Sequence, residues 1–218
     1  METVPGSDTQ TPPAARTRMR AVIYCLVLAT LASVLMFWEL GEDALFSDEA
    51  QYALIVQNMK KPGGSWLYVS PYPPTAYHQK PPLYFWLTAS TYDLLGREEF
   101  AFRAWSAGAG VGAVVLTCVL GAMLFTPEIG ALAGLLLMTN RAFVLVHGAR
   151  SGTLDALLTF LVLAGALAYW LGARRGLGWK TWAVVGLFAG LASLTKPLAG
   201  VPLVGLLALH AIGSLRSG

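Results

Sequence analysis

Four places in the chain set an ionisable group at the end of an apolar block, where such a side chain is costly unless it has a task. Asp48 and Glu49 open a stretch whose apolar residues, Ala50, Ala53, Leu54 and Val56, are spaced for one face of a helix. A carboxylate suits a helix N-terminus and Ser47 is placed to cap it, so a plain cap and a functional acid pair are both open readings. In His78-Gln79-Lys80-Pro81-Pro82 the two prolines fix the entry to an aromatic segment and hold Lys80 at the membrane surface. An amine there can meet a lipid phosphate or simply snorkel to water. Arg150-Ser-Gly-Thr-Leu-Asp155 turns between two apolar blocks, with Asp155 either capping the second or facing an internal cavity. Lys196, in Leu-Thr-Lys-Pro, is a lone cation between two more.

The elements that must position these groups follow from composition. Of 218 residues, 56% are hydrophobic and 12% charged, and the mean hydropathy is +0.58. That is about half the charge density of a soluble domain, and the apolar residues recur along the whole chain, which marks an integral membrane protein. Collagen-like, disulfide-stapled and disordered classes are excluded, and no nucleic-acid partner is expected. Cys25 and Cys118 each sit inside an apolar block and read as packing residues. About 20 helical residues cross a hydrocarbon core. Uncharged runs at Ala21 to Trp38 and Ala104 to Pro127, then Ile129 to Ala149 broken only by Arg141, then Ala156 to Ala173, are candidate spans. Thr181 to Leu215 has 35 residues with only Lys196 charged. As one helix it would run roughly 50 Å, so it divides into two spans near Lys196 and Pro197. The expected fold is all-α: a polytopic membrane protein with about six transmembrane helices.

Between the first two spans, Glu39 to about Arg97 is expected to hold two juxtamembrane helices, Asp48 to Lys60 and Pro81 to Gly96. In the second, Tyr84, Phe85, Trp86 and Tyr92 suit the headgroup level. Arg16, Arg18 and Arg20 precede the first span and put the N-terminus in the cytoplasm, with an uncleaved first helix. Six spans then leave 8 of the 15 basic residues outside, an excess that points to an anionic ligand on that face. Gly108, Gly110 and Gly112 suit close helix packing, and His210 reads as a helix-end histidine, as does His147, although its place near Arg150 could bring it into the site. No zinc spacing is present.

The runs SDEAQYALIVQNM, HQKPPLYFWLTA, FRAWSAGAGVGAV, ARSGTLDALLTF and LTKP, in that order over about Phe46 to Gly200, resemble the N-terminal half of the GT-C class of polyprenyl-phosphate-dependent glycosyltransferases. The nearest group in that class is the aminoarabinose transferase and protein O-mannosyltransferase-like family. Residues 1–20, rich in Pro, Thr and Ser, read as a disordered cytoplasmic tail, and the resemblance implies 21–218 as a GT-C-like transmembrane domain, with residues 39–97 forming the outer loop. It implies a multi-pass plasma (inner) membrane enzyme that moves a sugar from a polyprenyl-phosphate donor to a lipid, glycan or protein acceptor on the outer face. By the same resemblance, Asp48 matches the catalytic aspartate and Asp155 the second acid. Lys80 matches the lysine that contacts donor phosphate, and Lys196 the lysine of a TKG-like motif. The charge on a leaving phosphate adds Arg150 and Lys196 as candidate donor-phosphate contacts, and Glu49, His78 and Tyr84 are candidate supporting residues.

Three positions depart from the family's pattern: Gln51 where arginine is frequent, Gln79 where a metal-associated glutamate stands, and Pro197 where glycine is usual. No metal ligand is therefore assigned, although the resemblance leaves room for a divalent metal. The leaving group of such a donor departs as a phosphate monoester anion and needs cations rather than an acid, whereas an acceptor hydroxyl must lose a proton, for which Asp48 is the natural base. Inversion at the anomeric carbon would follow. Members of the family are much longer than this chain, so the alternative is a truncated or catalytically silent membrane module that binds lipid phosphate or a partner subunit.

Overall fold

The computed structural model describes residues 13–74, 79–96, 99–176 and 178–217, with the side chains of 13, 14, 211 and 214–217 left aside. Every regular element among them is a helix. The chain runs through α1 (Pro13–Phe37), α2 (Asp48–Lys60), α3 (Leu83–Leu95), α4 (Glu99–Leu124), α5 (Pro127–Thr139), the one-turn α6 (Arg141–Val144), α7 (Asp155–Ala173), α8 (Trp179–Ser193) and α9 (Val201–Ser217). Among the described residues, α1, α4 and α7 are long and apolar enough to cross a membrane; α5 and Val201–His210 of α9 are shorter apolar helices. The protein is a multi-pass membrane protein.

At the centre, α4 packs against α1, α3, α5 and α7. Its contact with α5 needs glycine. A Cβ on Gly121 would lie 2.7 Å from the Gly130 Cα, and one on Gly130 would lie 2.3 Å from the Cys118 carbonyl oxygen, so the two backbones touch. Gly110 and Gly112 likewise lie under Met36 and Phe160, while Gly108 faces open space. The thiols of Cys25 on α1 and Cys118 on α4 are both free and stand 3.2 Å apart within this packing.

The two helices expected between the first two spans fall where the pattern puts them, α2 over Asp48–Lys60 and α3 within Pro81 to Gly96. Three of the four α3 aromatics turn the other way from expectation. Tyr84, Phe85 and Tyr92 are buried against α2 and α4, with the Tyr52 and Phe85 rings edge to face at 5.5 Å. Burying these rings releases more apolar surface from water than a headgroup position would. Trp86 alone stays near the surface, donating from Nε1 to the Trp66 carbonyl at 2.7 Å.

Two further expectations change. Residues 13–20, assigned to a disordered tail, form the first turns of α1. The block Ile129 to Ala149 is not one span. It breaks at Asn140, whose side-chain oxygen accepts from the Phe143 N–H at 3.1 Å and so caps α6 at the expense of α5. The long block does divide at Lys196-Pro197, between the end of α8 and the start of α9.

Candidate active site

The site is assembled from helix ends. Arg103, in the second turn of α4, is 5% exposed, and Glu49, in the first turn of α2, is 9% exposed. They form a two-pronged ion pair, Nε to Oε1 at 3.0 Å and Nη2 to Oε2 at 2.8 Å. The remaining guanidinium hydrogens go to the carbonyls of Leu40 (2.9 Å), Asp43 (2.8 Å) and Ala44 (3.3 Å). All five donors of the guanidinium thus have an acceptor. Glu49 also accepts from the backbone N–H of Gly152 and, at 3.4 Å, of Phe46. One ion pair therefore ties together the loop before α2, α2 itself, α4 and the loop before α7. Burial pushes the Glu49 carboxyl up, but the hydrogen bonds from Arg103 and Gly152 and the Arg103 charge outweigh it and hold the group below the ordinary carboxylate range.

The loop from Leu145 to Leu154 is tightly made. Backbone bonds run from Ala149 to Phe143 (2.8 Å) and Arg150 to Val144 (2.9 Å), and the Thr153 hydroxyl donates to the His147 carbonyl at 2.7 Å. From α4, the Ser106 hydroxyl donates to the Thr153 carbonyl at 2.7 Å and lies 3.0 Å from the Tyr84 hydroxyl. At the other wall the backbone N–H of Leu83 donates to the Leu194 carbonyl at 3.1 Å, which seats the Lys80-Pro81-Pro82 turn beside the end of α8 and hence beside Lys196.

Two adjoining chambers result. The smaller, about 250 Å³, is walled by Asp48, Tyr52, Lys80, His147, Thr153, Asp155 and Lys196. The larger, about 460 Å³, lies on the other side of Asp48, with Glu39, Asp43, Arg150 and Ser151 in its wall. Lys196 donates from Nζ to Asp155. Lys80 makes no hydrogen bond or ion pair with another described residue, so its charge is available to a ligand. Glu39, Ser47 and His147, all on the larger chamber's wall, have left-handed φ of 50°, 54° and 53°. Non-glycine residues rarely adopt such angles, and they concentrate at functional sites.

Of the residues expected from sequence, Asp48, Lys80, Asp155 and Lys196 meet in the smaller chamber. Arg150 does not join them: it stands in the larger chamber, its guanidinium anchored on the Leu35 carbonyl at 2.6 Å. Glu49 lies behind the site in the ion pair. Tyr84 is 1% exposed, lines neither chamber, and donates to the Phe102 carbonyl at 2.9 Å, so it acts only through the packing below. His78 lies outside the described residues. Ser47 precedes α2 as expected but makes no side-chain cap.

Sequence reasoning missed Arg103, Tyr52 and Thr153, and it named His147 without promoting it to the site. Tyr52 had a signal, since it stands one helical turn beyond Asp48 and shares its face. Arg103 had a weaker one: a buried acid such as Glu49 demands a cation, but nothing local selects one 54 residues away. No metal ligand set is assembled among the described residues. Gln79 offers only an amide, Asp155 is taken up by Lys196, and no three His, Cys, Asp or Glu side chains converge among the described residues.

This geometry has relatives. Residues 79–217 match the sequence profile of the dolichyl-phosphate-mannose-protein mannosyltransferase family, which is more than half of the chain. The chain belongs to that family. It is 35% identical over 165 residues to undecaprenyl phosphate-alpha-4-amino-4-deoxy-L-arabinose arabinosyl transferase 2 of Pseudomonas fluorescens, covering 72% of this chain and 29% of the relative. It is 26% identical over 198 residues to the corresponding transferase of Enterobacter, covering 87% of this chain and 35% of that one. Among solved structures, ArnT from Cupriavidus metallidurans in the apo state superposes with a TM-score of 0.70 at 27% identity, over 90% of this chain and 37% of that protein. ArnT bound to undecaprenyl phosphate, at 23% identity and a TM-score of 0.66, shows the same fold. The chain thus spans about a third of the length of these relatives.

Proposed function

We propose that this chain carries the catalytic helix-end cluster of an inverting glycosyltransferase, which moves a sugar from a polyprenyl-phosphate donor to an acceptor hydroxyl on the outer face of the plasma membrane. The N-terminus is cytoplasmic in this reading, as Arg16, Arg18 and Arg20 before the first span suggest. The observation that carries it is the meeting of Asp48, Lys80, Asp155 and Lys196, from four separate elements, around one chamber. The relatives named as undecaprenyl-phosphate arabinosyl transferases, and the undecaprenyl phosphate bound to ArnT, support a lipid-linked donor.

Each side chain has a task that its surroundings suit. Lys80, which has no hydrogen-bond or ion-pair partner among the described residues, binds the donor phosphate and neutralises the charge that grows on it as the anomeric C–O bond breaks. Lys196, oriented by Asp155, supplies a second positive charge on the same side. Asp48 orients the acceptor hydroxyl and accepts its proton during backside attack. No step is assigned to a metal.

The test is transfer of radiolabelled sugar from a panel of polyprenyl-phosphate sugars in membranes carrying this chain. Transfer by the wild type that is lost in Asp48→Asn, with equal membrane insertion, is the expected result. Unchanged transfer in Asp48→Asn refutes the assignment, and no transfer by the inserted, folded wild type refutes catalysis by this chain.

A further inference from the structure

We propose that His147 is the positioning and proton-accepting partner of Asp48, an inference that rests on the reading of Asp48 above. Three residues stand in the walls of both chambers: Asp48, His147 and Thr153. Thr153 is 3% exposed and gives its hydroxyl to the His147 carbonyl, so Asp48 and His147 form the partition that faces both spaces. His147 Nδ1 lies 3.8 Å from Asp48 Oδ2. One water, or an approach of about 1 Å, would complete a proton path between them.

The backbone adds an independent observation. His147 has φ 53°, a conformation that costs a non-glycine residue about 1 to 3 kcal/mol. Thr153 and the loop's own backbone bonds hold it there, and the result is an imidazole aimed at the acid from across the site.

The charges facing the ring come from every wall. In the smaller chamber these are Asp48 and Asp155 with Lys80 and Lys196, of which Asp155 and Lys196 are paired with each other. In the larger chamber they are Glu39, Asp43 and Arg150, with Glu49 and Arg103 behind, already paired with each other.

The proton has a complete route. The acceptor oxygen bonds to the anomeric carbon while the bond from that carbon to the donor phosphate oxygen breaks, its electron pair leaving on the phosphate. The acceptor O–H proton passes to the Asp48 carboxylate and then to Nδ1 of His147, turning neutral imidazole into imidazolium, which discharges to water in the larger chamber. Asp48 is thereby reset on the side away from the donor, where the leaving phosphate does not block it.

The experiment compares the wild-type chain with His147→Asn, His147→Gly and Asp48→Asn in the labelled-transfer assay across pH, with thermal unfolding measured alongside. Asparagine and glycine both accept the left-handed backbone, so either variant keeps the loop while removing the imidazole. The expected result is a fall in kcat on the order of 10²-fold at pH 7 with donor KM unchanged and unfolding temperature maintained. The dependence of kcat on pH should differ from the wild type's in both His147 variants, because each removes the proton acceptor behind Asp48. A wild-type pH profile in His147→Asn, with Asp48→Asn inactive, overturns this inference and leaves the role of Asp48 standing. Transfer that survives Asp48→Asn, or is absent from the wild type, overturns the reading beneath it and this inference together.

Discussion

Arg103→Leu is the substitution whose consequence the structure defines most closely. The side chains of Arg103 and Glu49 are 6% and 10% exposed, so losing the guanidinium leaves a carboxylate facing protein instead of water. Its remaining partners are the N–H groups of Gly152 and Phe46, and the carbonyls of Leu40, Asp43 and Ala44 lose a donor. Removing one member of a buried, hydrogen-bonded pair costs about 3 to 5 kcal/mol. For a chain of this length that is a fall in unfolding temperature on the order of 10 °C, measurable in detergent by intrinsic fluorescence. Glu49→Leu combined with Arg103→Leu should be more stable than Arg103→Leu alone, because no charge is left buried, with a coupling of roughly 2 kcal/mol. The pair also sets a pH dependence. The Glu49 carboxyl is held below its ordinary value of 4.5, so its stabilisation is fully present above that value and lost as pH falls through the lower folded-state value. The wild type should therefore lose stability below about pH 4, a loss that Arg103→Leu no longer shows from this pair. An Arg103→Leu chain within about 0.5 kcal/mol of wild type, or strictly additive effects in the double mutant, would refute the reasoning.

Lys80→Ala should raise the donor KM about tenfold or more, because it removes the one cation of the smaller chamber that no described residue neutralises, and Lys80→Arg should restore part of it; binding of polyprenyl phosphate measured directly checks both. Asp155→Asn should free Lys196 and lower kcat/KM by about 10- to 100-fold, the worth of one charge-assisted hydrogen bond, with little change in unfolding temperature. Gly121→Leu should separate α4 from α5 and lower the unfolding temperature by several degrees, whereas Gly108→Ala, which faces open space, should not. A membrane-permeant thiol oxidant should join Cys25 to Cys118 within one chain, seen as a shift on non-reducing gels that Cys25→Ala abolishes, since the two thiols face each other across α1 and α4.

Local chemistry in the chain determines a good deal. Apolar blocks long enough for a bilayer, the prolines at 81 and 82, and Pro197 after Lys196 place α1, α4, α7 and the α8–α9 break, because helix length and proline's missing N–H are properties of short stretches. Asp48, Lys80, Asp155 and Lys196 are legible for a related reason: an ionisable side chain beside apolar neighbours stands out wherever it lies. Tertiary structure decides what those neighbours cannot. The pairing of Glu49 with Arg103 and the turning of Tyr84 and Phe85 into the core depend on partners that arrive from distant sequence, whereas the Asn140 break is a local cap hidden inside an apolar block. Arg150 and His147 show the point most directly. Three residues apart in one loop, they have similar local surroundings, yet the backbone turn held by Thr153 brings His147 against Asp48 and leaves Arg150 anchored on Leu35 in the other chamber.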